Sequence, residues 1–173
     1  MTYHTSLVFV VLSALLFVGC SKRPAHGTLT SSASFTIEPG VSIGPVRSGM
    51  TMDQVITALG EPDQKRDSGS VLEYQSLGLT VLGRNKAGLI GSVICLDSGK
   101  KRPSAKPFAG HTKEGVGIGA SRADVISTYG EPTVTEELGG PEHEQLIYRP
   151  LGIRFDMTEG RVSSIAIWFK ITP

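Results

Sequence analysis

Ser42 lies in "GVSIG" at Gly40–Gly44, the G-x-S-x-G spacing of a nucleophile elbow. An elbow needs a strand before the serine, a helix directly after it, and Asp and His partners on a large sheet. Ile43-Gly44-Pro45 opens no helix there, so Ser42 reads as an ordinary loop serine. "GVGIGA" at Gly115–Ala120 fits the dinucleotide pattern G-x-G-x-x-A, but a polar linker precedes it where the pattern wants a strand. "PEHEQ" at Pro141–Gln145 sets Glu142, His143 and Glu144 side by side. Neighbours in an extended segment point to opposite faces, so at most two of them reach one ion, and zinc takes three or four ligands. Glu61 and Glu131 recur as a carboxylate pair might, yet each follows a helix stop, and the turn explains the match. The expectation is a chain that is not an enzyme and that uses neither a cofactor nor a metal.

Two cysteines remain. Cys20 closes "LFVGC", after the run Leu7–Val18, which is apolar except for Ser13. That run is too short to span a bilayer as a mature helix and has the length of a secretory h-region. The ending resembles a bacterial lipobox, with Phe17 where the pattern usually has Leu and with no Lys or Arg in "MTYHTS". The reading is a lipoprotein signal peptide over residues 1–19 and an acylated (palmitate-bearing) Cys20 as the mature N-terminus. Several acyl chains at ~0.8 kcal/mol per buried methylene hold firmly, where a single chain would be marginal. Ser21 after the cysteine points to the outer membrane, so the expected location is the bacterial envelope, lipid-anchored and facing the periplasm. With Cys20 acylated, Cys95 has no disulfide partner, and within "GSVICLD" it reads as a small buried hydrophobe. Lys plus Arg number 17 against 16 Asp plus Glu, so no field of one sign favours nucleic acid as a partner.

The rest of the chain says the same thing twice. "VITALGEP" at Val55–Pro62 returns as "VISTYGEP" at Val125–Pro132. Thr51 with Gln54, and Ser121 with Asp124, have the spacing of capping boxes, in which a hydroxyl satisfies an orphan N–H near the helix start. Val55, Ile56 and Leu59, like Val125, Ile126 and Tyr129, form apolar stripes at helical spacing. Gly60 and Gly130 stand where a helix ends on a left-handed residue, and Pro62 and Pro132 stop it from resuming. Strand-like text follows in each half: "VLEYQSLGLTVLG" (Val71–Gly83) against "QLIYRPLGIRFDM" (Gln145–Met157), then "LIGSVICLD" against "RVSSIAIWF". Length differences fall in the turns, as a structural repeat predicts. The expected fold is α+β, a tandem repeat of two units, each a helix plus an antiparallel sheet of three or four strands. The expected bounds are a tether over 20–36, a first repeat over 37–98, a linker over 99–110 and a second repeat over 111–173. Whether the two sheets join stays open.

"VRSGMTMDQVITALGEPD" followed by an aromatic-bearing hairpin resembles the SmpA/OmlA (BamE-like) family of outer-membrane lipoproteins. Two such units in one chain resemble the β-lactamase inhibitor protein (BLIP-like) fold. The resemblance implies a non-catalytic protein-binding or envelope-assembly module. The alternatives are an inhibitor-like binder of a secreted or periplasmic enzyme and, from another class, a small hydrolase. Strand alternation turns Leu72/Tyr74, Leu79/Val81 and Val93/Cys95 toward the helix, with Leu146/Tyr148, Ile153/Phe155 and Ile165/Ile167 as their counterparts. The opposite face then offers Glu73, Gln75, Thr80, Ile94 and Leu96 in the first half, and Ile147, Arg149, Arg154, Asp156 and Trp168 in the second. This face, with the one Trp of the chain, is the candidate surface for an unidentified protein partner. The competing reading has Trp168 covered by "SFTIEPG" or by the other half.

Overall fold

The computed structural model describes residues 35–84, 88–97, 105–140 and 142–169. Cys20, the segment 1–19 and the basic cluster Lys100–Arg102 lie outside them. In chain order the strands are β1 (Thr36–Glu38), β2 (Ser42–Ile43) and β3 (Val46–Arg47), followed by helix α1 (Met52–Leu59). Then come β4 (Gln64–Arg66), β5 (Val71–Tyr74), β6 (Leu79–Gly83), β7 (Ile90–Leu96) and β8 (His111–Thr112). Helix α2 (Arg122–Tyr129) precedes β9 (Val134–Glu137), β10 (His143–Tyr148), β11 (Ile153–Thr158) and β12 (Arg161–Trp168).

Both helices begin as the sequence predicts. Gln54 N–H donates to Thr51 Oγ1 and Thr51 N–H to Gln54 Oε1; Ser121 and Asp124 exchange the same pair of bonds. Their ends differ from expectation in detail. Gly60 has φ 87° and ψ −176°, and Gly130 φ 74° and ψ −166°. This is the glycine-only mirror of extended backbone, not the left-handed helical well. It turns the chain sharply out of the helix into β4 or β9.

The expected tandem repeat of helix-plus-sheet units is not what forms. The chain is mostly β, with two short helices and one large antiparallel sheet, in the order β4-β5-β6-β7-β12-β11-β10-β9. The halves are fused by antiparallel pairing of β7 with β12, from Leu96–Ser164 through Ile94–Ala166 to Ser92–Trp168. The physical reason lies in those two strands. β7 ("IGSVICL") and β12 ("RVSSIAIW") are rich in buried β-branched residues, and left as edges they would expose a long unpaired backbone. Pairing them removes both edges.

A second sheet, β3-β2-β1-β8, crosses between the halves, with β1 parallel to β8 through Thr36–His111 and Ile37–Thr112. It corrects two expected boundaries. Phe35 and Thr36 belong to the fold and not to a tether, and the described part of the linker, residues 105–110, is built in. Phe108 is buried, stacks on Phe35 with ring centroids 6.1 Å apart, and donates its N–H to the Leu96 carbonyl. Buried residues of both helices and of the small sheet form one core with Leu72, Tyr74, Leu79, Val81, Val93, Cys95, Leu146, Tyr148, Ile153, Phe155, Ile165 and Ile167. All the residues predicted to face the helix are therefore in that core.

Each half pins its helix stop with a tyrosine. Tyr74 Oη donates to the Gly60 carbonyl at 3.1 Å, and Tyr148 Oη to the Gly130 carbonyl at 2.9 Å. Burial, helped by the nearby Glu61 charge, pushes the Tyr74 phenol from 10.0 up to about 12. A raised folded pKa means stability that is fully present below pH 10 and is lost as pH rises through about 12. Thermal melts over that range should fall in wild type, and Tyr74→Phe should flatten the fall, since Phe has no proton to lose. An unchanged slope in the variant would place the alkaline sensitivity elsewhere.

Candidate functional site

α1, α2 and the small sheet all pack on one face of the eight-stranded sheet, and no described helix or strand lies on the other. Register settles what that helix-free face carries. One row crosses every strand: Gln64, Glu73, Thr80, Ile94, Ala166, Arg154, Ile147 and Val134. At ~4.8 Å per strand, seven spacings make a row roughly 34 Å long. To one side run Arg66, Val71, Leu82, Ser92 and Trp168. To the other run Leu96, Ser164, Asp156, Gln145 and Glu136.

Of the residues proposed from sequence, Trp168, Arg154, Ile147, Glu73 and Leu96 therefore share this face. Gln75 and Arg149 do not sit on strands. Gln75 is in the β5–β6 turn, where its carbonyl accepts from Gly78 and Lys106 N–H, and Arg149 is exposed in the β10–β11 turn. They end opposite ends of the strands, so one small ligand cannot touch both. Of "SFTIEPG", Phe35 and Ile37 point into the core, on the face opposite the Trp168 side chain. Trp168 stays partly exposed beside the junction of the halves. Ala166 and Ser164, absent from the sequence reading, lie at the centre; the period-2 alternation along β12 carries both to this face.

Four of the charges on the face are matched in pairs, while Glu136 stands exposed on the edge strand. Arg66 reaches Glu73 at 2.5 Å, and the Glu73 side chain is only 7% exposed. Arg154 Nε meets Asp156 Oδ1 at 2.7 Å, Arg154 Nη2 donates to Asp156 Oδ2 at 3.2 Å, and Ser164 Oγ donates to the same carboxylate. Between these ion pairs lie Leu82, Ile94, Ala166 and Trp168, with Leu96 and Ile147 alongside. The centre of the face mixes these apolar residues with Thr80, Ser92 and Ser164, between two internally neutralised charge pairs. Chemically it can exclude water from a partner and orient it.

The motifs that resemble chemistry resolve into structure. Ser42 is buried in β2, which turns through Gly44 (φ 53°) into β3, so no helix presents its hydroxyl. The glycines of "GVGIGA" lead to α2, whose first turn is occupied by the Asp124 carboxylate; its hydrogen bonds with Ser121 hold its pKa below the usual range. A fixed anion there opposes a phosphate. Glu144 turns to Arg122 at 2.8 Å, while His143 pairs with Thr158, its Nδ1 lying 3.3 Å from the hydroxyl. Glu61 bonds Lys65 at 3.0 Å across an exposed turn. Cys95 is fully buried, and burial pushes its thiol pKa well up.

No protein-family model and no curated protein matches the chain. Among solved structures it is similar to the crystal structure of a DUF4309 family protein (YjgB) from Bacillus subtilis subsp. subtilis str. 168. Identity is 12%, the TM-score is 0.48, and the match covers 73% of this chain and 83% of that one. The resemblance to the SmpA/OmlA family thus rests on its motif residues. No described helix is long and apolar enough to cross a membrane.

Proposed function

We propose that this chain is a membrane-anchored bacterial lipoprotein that holds a protein partner on the helix-free face of its sheet and performs no catalysis. The observation that carries the reading is the helix-free face itself, where partly exposed Ile94, Leu96, Ile147 and Trp168 surround the buried Ala166 and the Arg154–Asp156 pair. Trp and Arg set among aliphatics are the residue types that dominate interface energetics. Ion pairs closed within the face lower the cost of desolvating it, because neither charge has to find a partner in the complex. The lipobox-like ending at Cys20 supports an anchor, and the family resemblance favours envelope assembly over inhibition of a periplasmic enzyme.

Affinity capture from detergent-solubilised membranes, with mass analysis of Cys20, tests it. The expected result is a diacylglyceryl-modified Cys20 and co-purifying components of outer-membrane assembly. Recovery of a single soluble hydrolase would favour the inhibitor reading, and an unmodified Cys20 would remove the anchor.

A further inference from the structure

The two ends of the large sheet are unlike. β4 reads Gln64-Lys65-Arg66 and β9 reads Val134-Thr135-Glu136-Glu137, and no described strand pairs with the outer side of either. One edge is basic and the other acidic, and both are exposed apart from Val134. We propose that these edges pair with each other between copies, so that β9 of one molecule adds to β4 of the next and continues the sheet. This goes beyond the binding reading, which uses the face and not the edges.

Three features of the fold make the pairing specific. First, strand direction alternates through eight strands, so the first and last run oppositely and a head-to-tail neighbour arrives antiparallel. Second, the faces agree. Lys65 pairs with Leu72 and Glu137 with Glu144, which places both on the helix side; Arg66 pairs with Val71 and Glu136 with Gln145, which places both on the open side. Third, a single antiparallel register sets Lys65 opposite Glu137 and Arg66 opposite Glu136 at once. The alternatives, β4 on β4 or β9 on β9, bring like charges together. In the same register Leu138, 49% exposed and among the few large apolar residues in the open, comes to lie over the stem of Gln64. Both cations already have a partner, Lys65 in Glu61 and Arg66 in Glu73, but an ammonium has three N–H donors and a guanidinium five, enough for each to take a second carboxylate.

The interface is heterologous, so it builds open chains of molecules and not a closed dimer. The edges are short, so the association is weak and depends on concentration and salt.

Sedimentation velocity of the purified full chain in mild detergent, over a hundredfold range of concentration, reads it. Wild type should shift to larger species as concentration rises. Lys65→Glu and Glu137→Lys, on exposed positions, should each weaken this by about fivefold; Glu137→Lys should leave the melting temperature unchanged, and Lys65→Glu, which also gives up the exposed pair with Glu61, should lower it slightly. A mixture of the two variants should restore it, as should both changes in one chain, because each recreates an opposite-charge pair. A wild type that stays monomeric throughout overturns the proposal and leaves the charges as guards against edge pairing. So do swaps without effect, or a mixture that fails to restore association. Should either variant fold poorly, Glu136→Lys provides the same test at the second pair.

Discussion

Phe155→Ala is expected to destabilise the fold by about 4 kcal/mol. Phe155 is fully buried on β11, with its ring centroid 5.4 Å from Tyr129 and 6.0 Å from Tyr148, the latter contact edge-on. Truncation removes the apolar area of the ring, both aromatic contacts, and the floor on which α2 rests. The loss matters more here than under α1. α1 buries Met52, Val55 and Leu59, but α2 fully buries Val125 alone and depends on Tyr129 for the rest of its docking. Tyr129 also donates to Glu114 at 2.7 Å, so its ring is fixed and cannot follow a collapsing cavity. Domains of this kind have about 5–15 kcal/mol in total, so the variant sits near the edge of stability. A lower urea midpoint with unchanged denaturant dependence checks it; a loss under about 1 kcal/mol would mean the site repacks freely.

Much of this was legible in the residues, and what was not has physical causes. The capping pairs Thr51–Gln54 and Ser121–Asp124 work within four residues, so sequence spacing reports them directly. Alternation along β5–β7 and β10–β12 likewise assigns the core face, because one side of each strand is apolar. Sheet fusion was hidden because the pairing of Ile94 with Ala166 joins residues 72 positions apart, and no local pattern encodes partner choice. The edge strands β4 and β9 escaped because "QKR" and "VTEE" have no apolar alternation; they are strands only because β5 and β10 template them. The small sheet is a further case. Thr36 and His111 pair across the whole first half, and Phe35 and Phe108 lie in stretches whose composition reads as linker. On the open face, alternation located Trp168, Arg154 and Ile147, whereas Gln75 and Arg149 were displaced because the chain turns at Tyr74 and Tyr148.

Trp168→Ala is expected to weaken capture of the partner by about 30-fold, which corresponds to about 2 kcal/mol, while lowering the melting temperature by only a few degrees. Trp168 ends β12, its N–H held by the Gly152 carbonyl, so the backbone keeps its place when the side chain is removed. The residue is only partly buried and pairs with Ser92 at the fusion of the halves, on the face where a partner would cover the residues around Ile94 and Ala166. Phe155→Ala supplies the contrast, because it should cost stability and leave the affinity of the folded fraction unchanged. Parallel losses of affinity and stability in Trp168→Ala would instead assign the ring to packing.

The chain has one tryptophan, so its fluorescence reports on this face alone. Acrylamide quenching of Trp168, measured with and without the captured partner, therefore tests most directly whether the open side of the sheet is where binding occurs. Quenching that drops several-fold on complex formation is the predicted result. A complex that forms while Trp168 stays as accessible as in the free protein would contradict it.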